Sequence, residues 1–164
     1  MKEIKLTIDG KEVQLTHEQL RLLGIETRKN PFERVTKSEM YYYIDSFNAV
    51  HCVADDADGS DDMSFECSNY FTDETFANQV ALHQLLYRKL LKFAYDNECE
   101  DTAEWNKTNC HYYISYNIDE QRFYADVTGS FKHNDVWFRS RYSAKRAIEE
   151  VVGPFMKEHP EFVW

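Results

Sequence analysis

A chain of 164 residues with 29 acidic and 19 basic side chains carries a formal net charge of −10, and its 11 Tyr and 11 Phe make it too aromatic for a disordered tail. It suits one domain with a real core, and 5 Gly and 3 Pro predict regular elements joined by short turns. No apolar run approaches the roughly 20 residues of a membrane span, and the opening MKEIKLTIDG lacks a secretory h-region, so a cytoplasmic protein with reduced cysteines is expected.

In chain order, IKLTIDGKEVQL alternates on either side of Asp9-Gly10, a hairpin signal. LTHEQLRLLGI follows, with Thr16 as N-cap, Gln19 completing a capping box and Gly24 as a stop. Residues 1–25 thus read as a small ββα leader. The connector TRKNPFERV breaks at Asn30-Pro31. A strand opens at YYYIDSFNAVHC from Tyr41. The stretch VADDADGSDDMSFE reads as a hairpin tip between a strand 47–53 and a strand 63–67, using Asp-Gly turn chemistry. Phe76, Val80, Leu82, Leu86, Leu90 and Phe93 give the apolar stripe of a helix over 74–97, with acids at its start and bases in its second half, as the helix dipole favours. NECEDTAEWNKTN is a polar connector anchored by Trp105. HYYISYNIDEQRFYADV predicts a hairpin about Asp119-Glu120, with Tyr112, Ile114, Tyr116 and Ile118 facing the core. DVWFRS predicts another strand, and YSAKRAIEEVV a helix over 142–152 ended by Gly153-Pro154.

The order strand, strand, aromatic, N-cap, helix occurs twice, over 41–97 and 111–152. Tyr42-Tyr43-Ile44 aligns with Tyr112-Tyr113-Ile114, and Phe71, Asp73 and Ala77 with Phe138, Ser140 and Ala144. The expected fold is α+β in a single domain: an antiparallel sheet shared by two duplicated strand-strand-helix units, with the helices packed on one face.

Charge is uneven. Between Lys37 and Arg88 there is no Lys or Arg, while ten acids fall there: Glu39, Asp45, Asp55, Asp56, Asp58, Asp61, Asp62, Glu66, Asp73 and Glu74. Direct binding of nucleic acid through this region is not expected, because phosphates need Lys and Arg. Calcium binding is not expected either. With Gly59 at position 6 of an EF-hand loop, Ala54 and Phe65 occupy the end positions that need ligands. Cys52, Cys67, Cys110 and His111 are zinc candidates without the usual CxxC spacing, and each Cys has a plain reading as a small buried apolar residue. No motif with a catalytic mechanism is present, and His83 reads as a structural, partly buried residue. The expectation is a non-enzyme without a cofactor. Arg139, Arg141, Lys145 and Arg146 surround the start of the second helix. They suit either a phosphate or ordinary pairing with Glu149 and Glu150 at helical spacing.

The pattern KNPFERV, YYYI, NYFTDE, W, YYI and AKRAIEEV resembles a set of small proteins of phages and prophages of low-GC Gram-positive bacteria, over about residues 30 to 152. Where that set has a glycine before NYF, this chain has Ser68. The resemblance transfers no catalytic residues. It implies a phage accessory protein, a class that includes inhibitors of host defence such as anti-CRISPR proteins. Charge then suggests the partner: a host protein with a basic nucleic-acid-binding surface, of which a CRISPR nuclease is an example. The residues expected to meet it are Asp55, Asp56, Asp58, Asp61, Asp62 and Glu66, with Tyr41, Tyr43 and Phe47 as apolar anchors. The competing expectations are a nucleotide or small-molecule sponge, and charge that serves solubility alone.

Overall fold

The computed structural model describes Leu6–Ile8, Lys11–Val13, Leu23 and residues 30–164. The fold is α+β, with antiparallel hairpins and helices in sequence. In the leader, β1 (Leu6–Ile8) and β2 (Lys11–Val13) pair with Ile8 opposite Lys11, the register that a two-residue connection at Asp9-Gly10 requires. The leader's expected helix lies outside the described residues.

The first unit opens with β3 (Met40–Ile44) and β4 (Val50–Ala54), paired so that Ile44 faces Val50. The turn between them is built on Asp45, whose carboxylate accepts the backbone N–H of Phe47 at 2.8 Å and of Ala49 at 2.9 Å. The acidic stretch is not a hairpin tip. After β4 the chain enters helix α1 (Gly59–Glu66), so the strand expected over 63–67 is absent and the 47–53 strand is shifted to Val50–Ala54. Phe71 then returns to the sheet and exchanges two backbone hydrogen bonds with Tyr42, at 2.7 and 2.8 Å. Asp73 caps α2 (Glu74–Asp96) by accepting the N–H of Phe76 at 2.7 Å.

The second unit repeats these features. β5 (His111–Asn117) pairs with β6 (Arg122–Thr128), and Phe138 bridges to Tyr112 on one side and Glu100 on the other. DVWFRS therefore contributes one bridging residue rather than a strand. Ser140 caps α3 (Arg141–Ala147) through the N–H of Ser143 at 3.1 Å. In each unit an alanine one turn in, Ala77 or Ala144, is fully buried. Gly153-Pro154 does not end this helix. A π-helical stretch, Ile148–Val152, leads directly into α4 (Gly153–Glu158), and Gly153 stays right-handed at φ −58°. The wider π turn changes the carbonyl spacing ahead of Pro154, which has no N–H to donate and whose ring would crowd a regular turn. Ile118 sits in the β5–β6 turn and is exposed rather than in the core.

The hairpins lie in separate two-stranded sheets rather than one shared sheet. Helix α2 joins them. Ala77 and Ala81 pack with Ile44 and Phe71 in one cluster. Leu82, Leu86, Leu90 and Phe93 pack with Ile114, Phe138, Ala144 and Phe155 in another. Its 23 residues reach about 35 Å, enough to span both. Among the described residues no helix is long and apolar enough to cross a membrane.

Candidate functional site

The acidic segment begins with a loop that turns back on itself. Ala57 is left-handed at φ 57°, and Asp58 takes the N-cap of α1 by accepting the N–H groups of Ser60 and Asp61 at 2.8 and 3.1 Å. Asp61 reciprocates as the third helical residue. Its Oδ2 accepts the N–H of Asp58 at 3.2 Å and of Asp56 at 2.9 Å, and its Oδ1 accepts the hydroxyl of Tyr41 at 2.9 Å. This is a capping box made with aspartates.

Asp55 forms a second knot. Arg34 donates Nε to it at 3.0 Å, the Tyr70 hydroxyl donates at 2.8 Å and the Ala57 N–H donates at 2.8 Å. Arg34 also donates to Asp62 at 2.6 Å. The guanidinium, helped by the Tyr70 hydroxyl, holds the Asp55 carboxyl below the usual range. Arg34 is held firmly charged by its bonds to Asp55 and Asp62. Burial first, and the neighbouring carboxylates second, push Tyr41 and Tyr70 up to about 12. The two rings stack 3.9 Å apart and close the network from below.

The expected partner-binding residues therefore divide. Asp55, Asp61 and Tyr41 are 1%, 4% and 3% exposed; they are internal and cannot touch a partner in this conformation. Tyr43 is half-buried and stacks on His51 at 5.3 Å. Asp56, Asp58, Asp62 and Glu66 are exposed, as is Phe47 at the tip of the β3–β4 turn, at 89%. Three residues not expected at this surface join them: Met63 and Phe65 are exposed on α1, and Cys67 follows them. Helical spacing from Gly59, had α1 been recognised, would have placed Asp62, Met63 and Glu66 together.

The zinc candidates are not assembled. Cys52, Cys67 and Cys110 are exposed, and His111 is wholly buried. Among the described residues no three His, Cys, Asp or Glu side chains converge as metal ligands. His111 instead gives Nδ1 to Asp101 and stacks on Trp105 at 3.7 Å and 5°. Trp137 stands edge-on to Trp105. The Nε2 of His111 and Oε2 of Glu100 are buried without a hydrogen-bond partner among the described residues. Trp105 does anchor its connector, and a histidine is what it anchors to. His83 is exposed, edge-on to Phe162. It lines an open, mainly apolar cavity of about 480 Å³ with Tyr87, Leu90, Asp135 and Trp164. Burial there pushes the Asp135 carboxyl up. Of the four bases at the second helix, Arg146 makes the expected helical pair with Glu150, at 2.7 Å. Arg139, Arg141 and Lys145 are exposed.

No protein-family model matches the chain, and no curated protein or solved structure matches it.

Proposed function

We propose that this protein works by binding another protein, docking the outer face of α1 on a basic, nucleic-acid-binding surface as a phage inhibitor of a host defence nuclease would. The observation that carries the reading is the composition of that face. Asp62, Met63 and Glu66 are exposed on one side of α1, with Asp56 and Asp58 just before it and Phe65 within it. Acids beside exposed apolar side chains suit a protein partner, since interfaces combine apolar anchors with a polar rim. Charge for solubility alone needs no such anchors. The nearby cation Arg34 offsets one of the two charges of Asp55 and Asp62, and Asp56, Asp58 and Glu66 keep the face negative.

The reading is non-catalytic. The test is a comparison of wild type with D56N/D62N/E66Q, each immobilised and exposed to lysate of a low-GC Gram-positive host. A nucleic-acid-binding protein retained by wild type, released by added DNA and lost with the triple variant supports the proposal. A partner held equally by both proteins, or not released by DNA, overturns it.

A further inference from the structure

We infer that the cleft between β6 and the α3 helix binds a nucleotide-sized ligand, a phosphate joined to a flat ring. This is independent of the docking face on α1. The cleft has a volume of about 380 Å³ and is lined by Arg122, Phe123, Tyr124, Arg141, Lys145 and Glu149. That is within the range of small-molecule sites, roughly 300–1,000 Å³.

Arg141 and Lys145 are four residues apart, so they share one side of α3. Among the described residues neither side chain makes a hydrogen bond or ion pair, in a chain with 29 acids for 19 bases. Arg146 shows the contrast. Next to Lys145 in sequence, it turns away to Glu150 and Asn97. The bases of α3 are thus split into a paired side and an unpaired side, and the unpaired side faces the cleft. Arg122 arrives from β6, held over the Tyr124 ring at 4.5 Å and against Glu120 at 2.5 Å. Three cations from two elements suit one phosphate group. Phe123 packs on Tyr116 and Trp164, so the surface for a flat ring is the Tyr124 face away from Arg122, and the Glu149 carboxylate offers an acceptor for a hydroxyl or ring amine. The cleft's size favours a single nucleotide. The net charge of −10 disfavours a long polyanion, whose distant phosphates would meet the acidic unit.

Calorimetry with ATP as probe tests this, with inorganic phosphate and adenosine as comparisons. Wild type should bind ATP saturably at one site, with phosphate and adenosine each weaker by about tenfold or more. R141A/K145A and, separately, R122A should each weaken ATP binding by about tenfold or more. R146A, and the α1 variant D56N/D62N/E66Q, should bind ATP as wild type does. Arg122, Arg141 and Lys145 are exposed, so melting curves of the two cleft variants should overlay that of wild type. The inference is overturned if ATP gives no saturable binding up to millimolar concentration, if both cleft variants bind it unchanged, or if inorganic phosphate binds as tightly as ATP.

Discussion

Asp55 and Asp61 are buried while Asp56 and Asp62, their immediate neighbours, are exposed. Nothing in the run of aspartates marks that difference. It is decided by Arg34 and Tyr70 for Asp55 and by Tyr41 for Asp61, all distant in sequence, so a local reading could only treat the acids alike. Replacing all five with Asn would therefore damage the fold as well as the surface. Tyr41→Phe isolates one bond. It keeps the ring that stacks on Tyr70 and removes the donor to Asp61, and it should cost about 1.5–3 kcal/mol in urea unfolding, as for hydrogen bonds to charged groups. The same network sets a pH profile. Tyr41 and Tyr70, raised to about 12, ionise later in the folded chain than in the unfolded one, whose tyrosines titrate near 10. Their stabilisation is complete below about pH 10 and is lost as pH rises towards about 12. Asp55 and Asp58 are shifted down, so theirs is present above about pH 4 and is lost as pH falls below it. Melting temperature measured against pH should fall at both ends. Tyr70→Phe should flatten the alkaline limb; an unchanged limb would show that the stacked pair does not control it.

At the scale of elements, α1 departs furthest from the sequence expectation, and its two ends show why. Asp58-Gly59 has the composition of a turn, yet Asp58 is an N-cap and Gly59 is the first residue of a helix. The Asp-x-x-Asp spacing was a capping signal that the glycine obscured. At the other end Ser68 follows the C-cap at φ 56°, the left-handed position that usually takes glycine. Its neighbour Asn69 donates to the Ser64 carbonyl at 2.9 Å, closing the last turn. The chain thus has glycine where the helix does not need it and serine where it does. A Cβ on Gly59 would meet nothing within 4 Å, so Gly59→Ala should stabilise by about 0.4–1 kcal/mol. Ser68→Gly should stabilise by about 0.5–1 kcal/mol, relieving the left-handed strain less the added freedom of the unfolded chain. Chemical denaturation reads both, and destabilisation by either would show that α1 is held by something other than these ends. By contrast α2 and the β5–β6 hairpin were legible almost to the residue, because an apolar stripe at helical spacing and a turn flanked by alternating aromatics are local patterns. Pairing between hairpins is not local. Nothing in either period says which strand edge meets which, and so one shared sheet was expected where two form.

For the molecule as a whole, those two sheets need something to join them, and α2 is the element that enters both half-cores. Its first turns pack on the β3–β4 hairpin through Ala77 and Ala81, and its later turns on the β5–β6 hairpin through Leu86 and Leu90. If that helix makes the chain one cooperative unit, damage to the first half-core must be felt in the second. The three tryptophans, Trp105, Trp137 and Trp164, pack on His111, Tyr113 and Phe123 of the second hairpin and report on that half-core, while far-ultraviolet circular dichroism reports on both. Ala77 is wholly buried against the first hairpin, so Ala77→Leu overpacks only that side, at a cost of about 1–3 kcal/mol. In urea the variant's tryptophan and dichroism midpoints should fall together and coincide, as two-state unfolding requires. Ala144→Leu, the corresponding change in the second unit, should move both probes in the same way. A tryptophan midpoint that stays at the wild-type value in Ala77→Leu, while the dichroism splits into two steps, would mean that the half-cores unfold separately. The chain would then be two small domains sharing a helix rather than one.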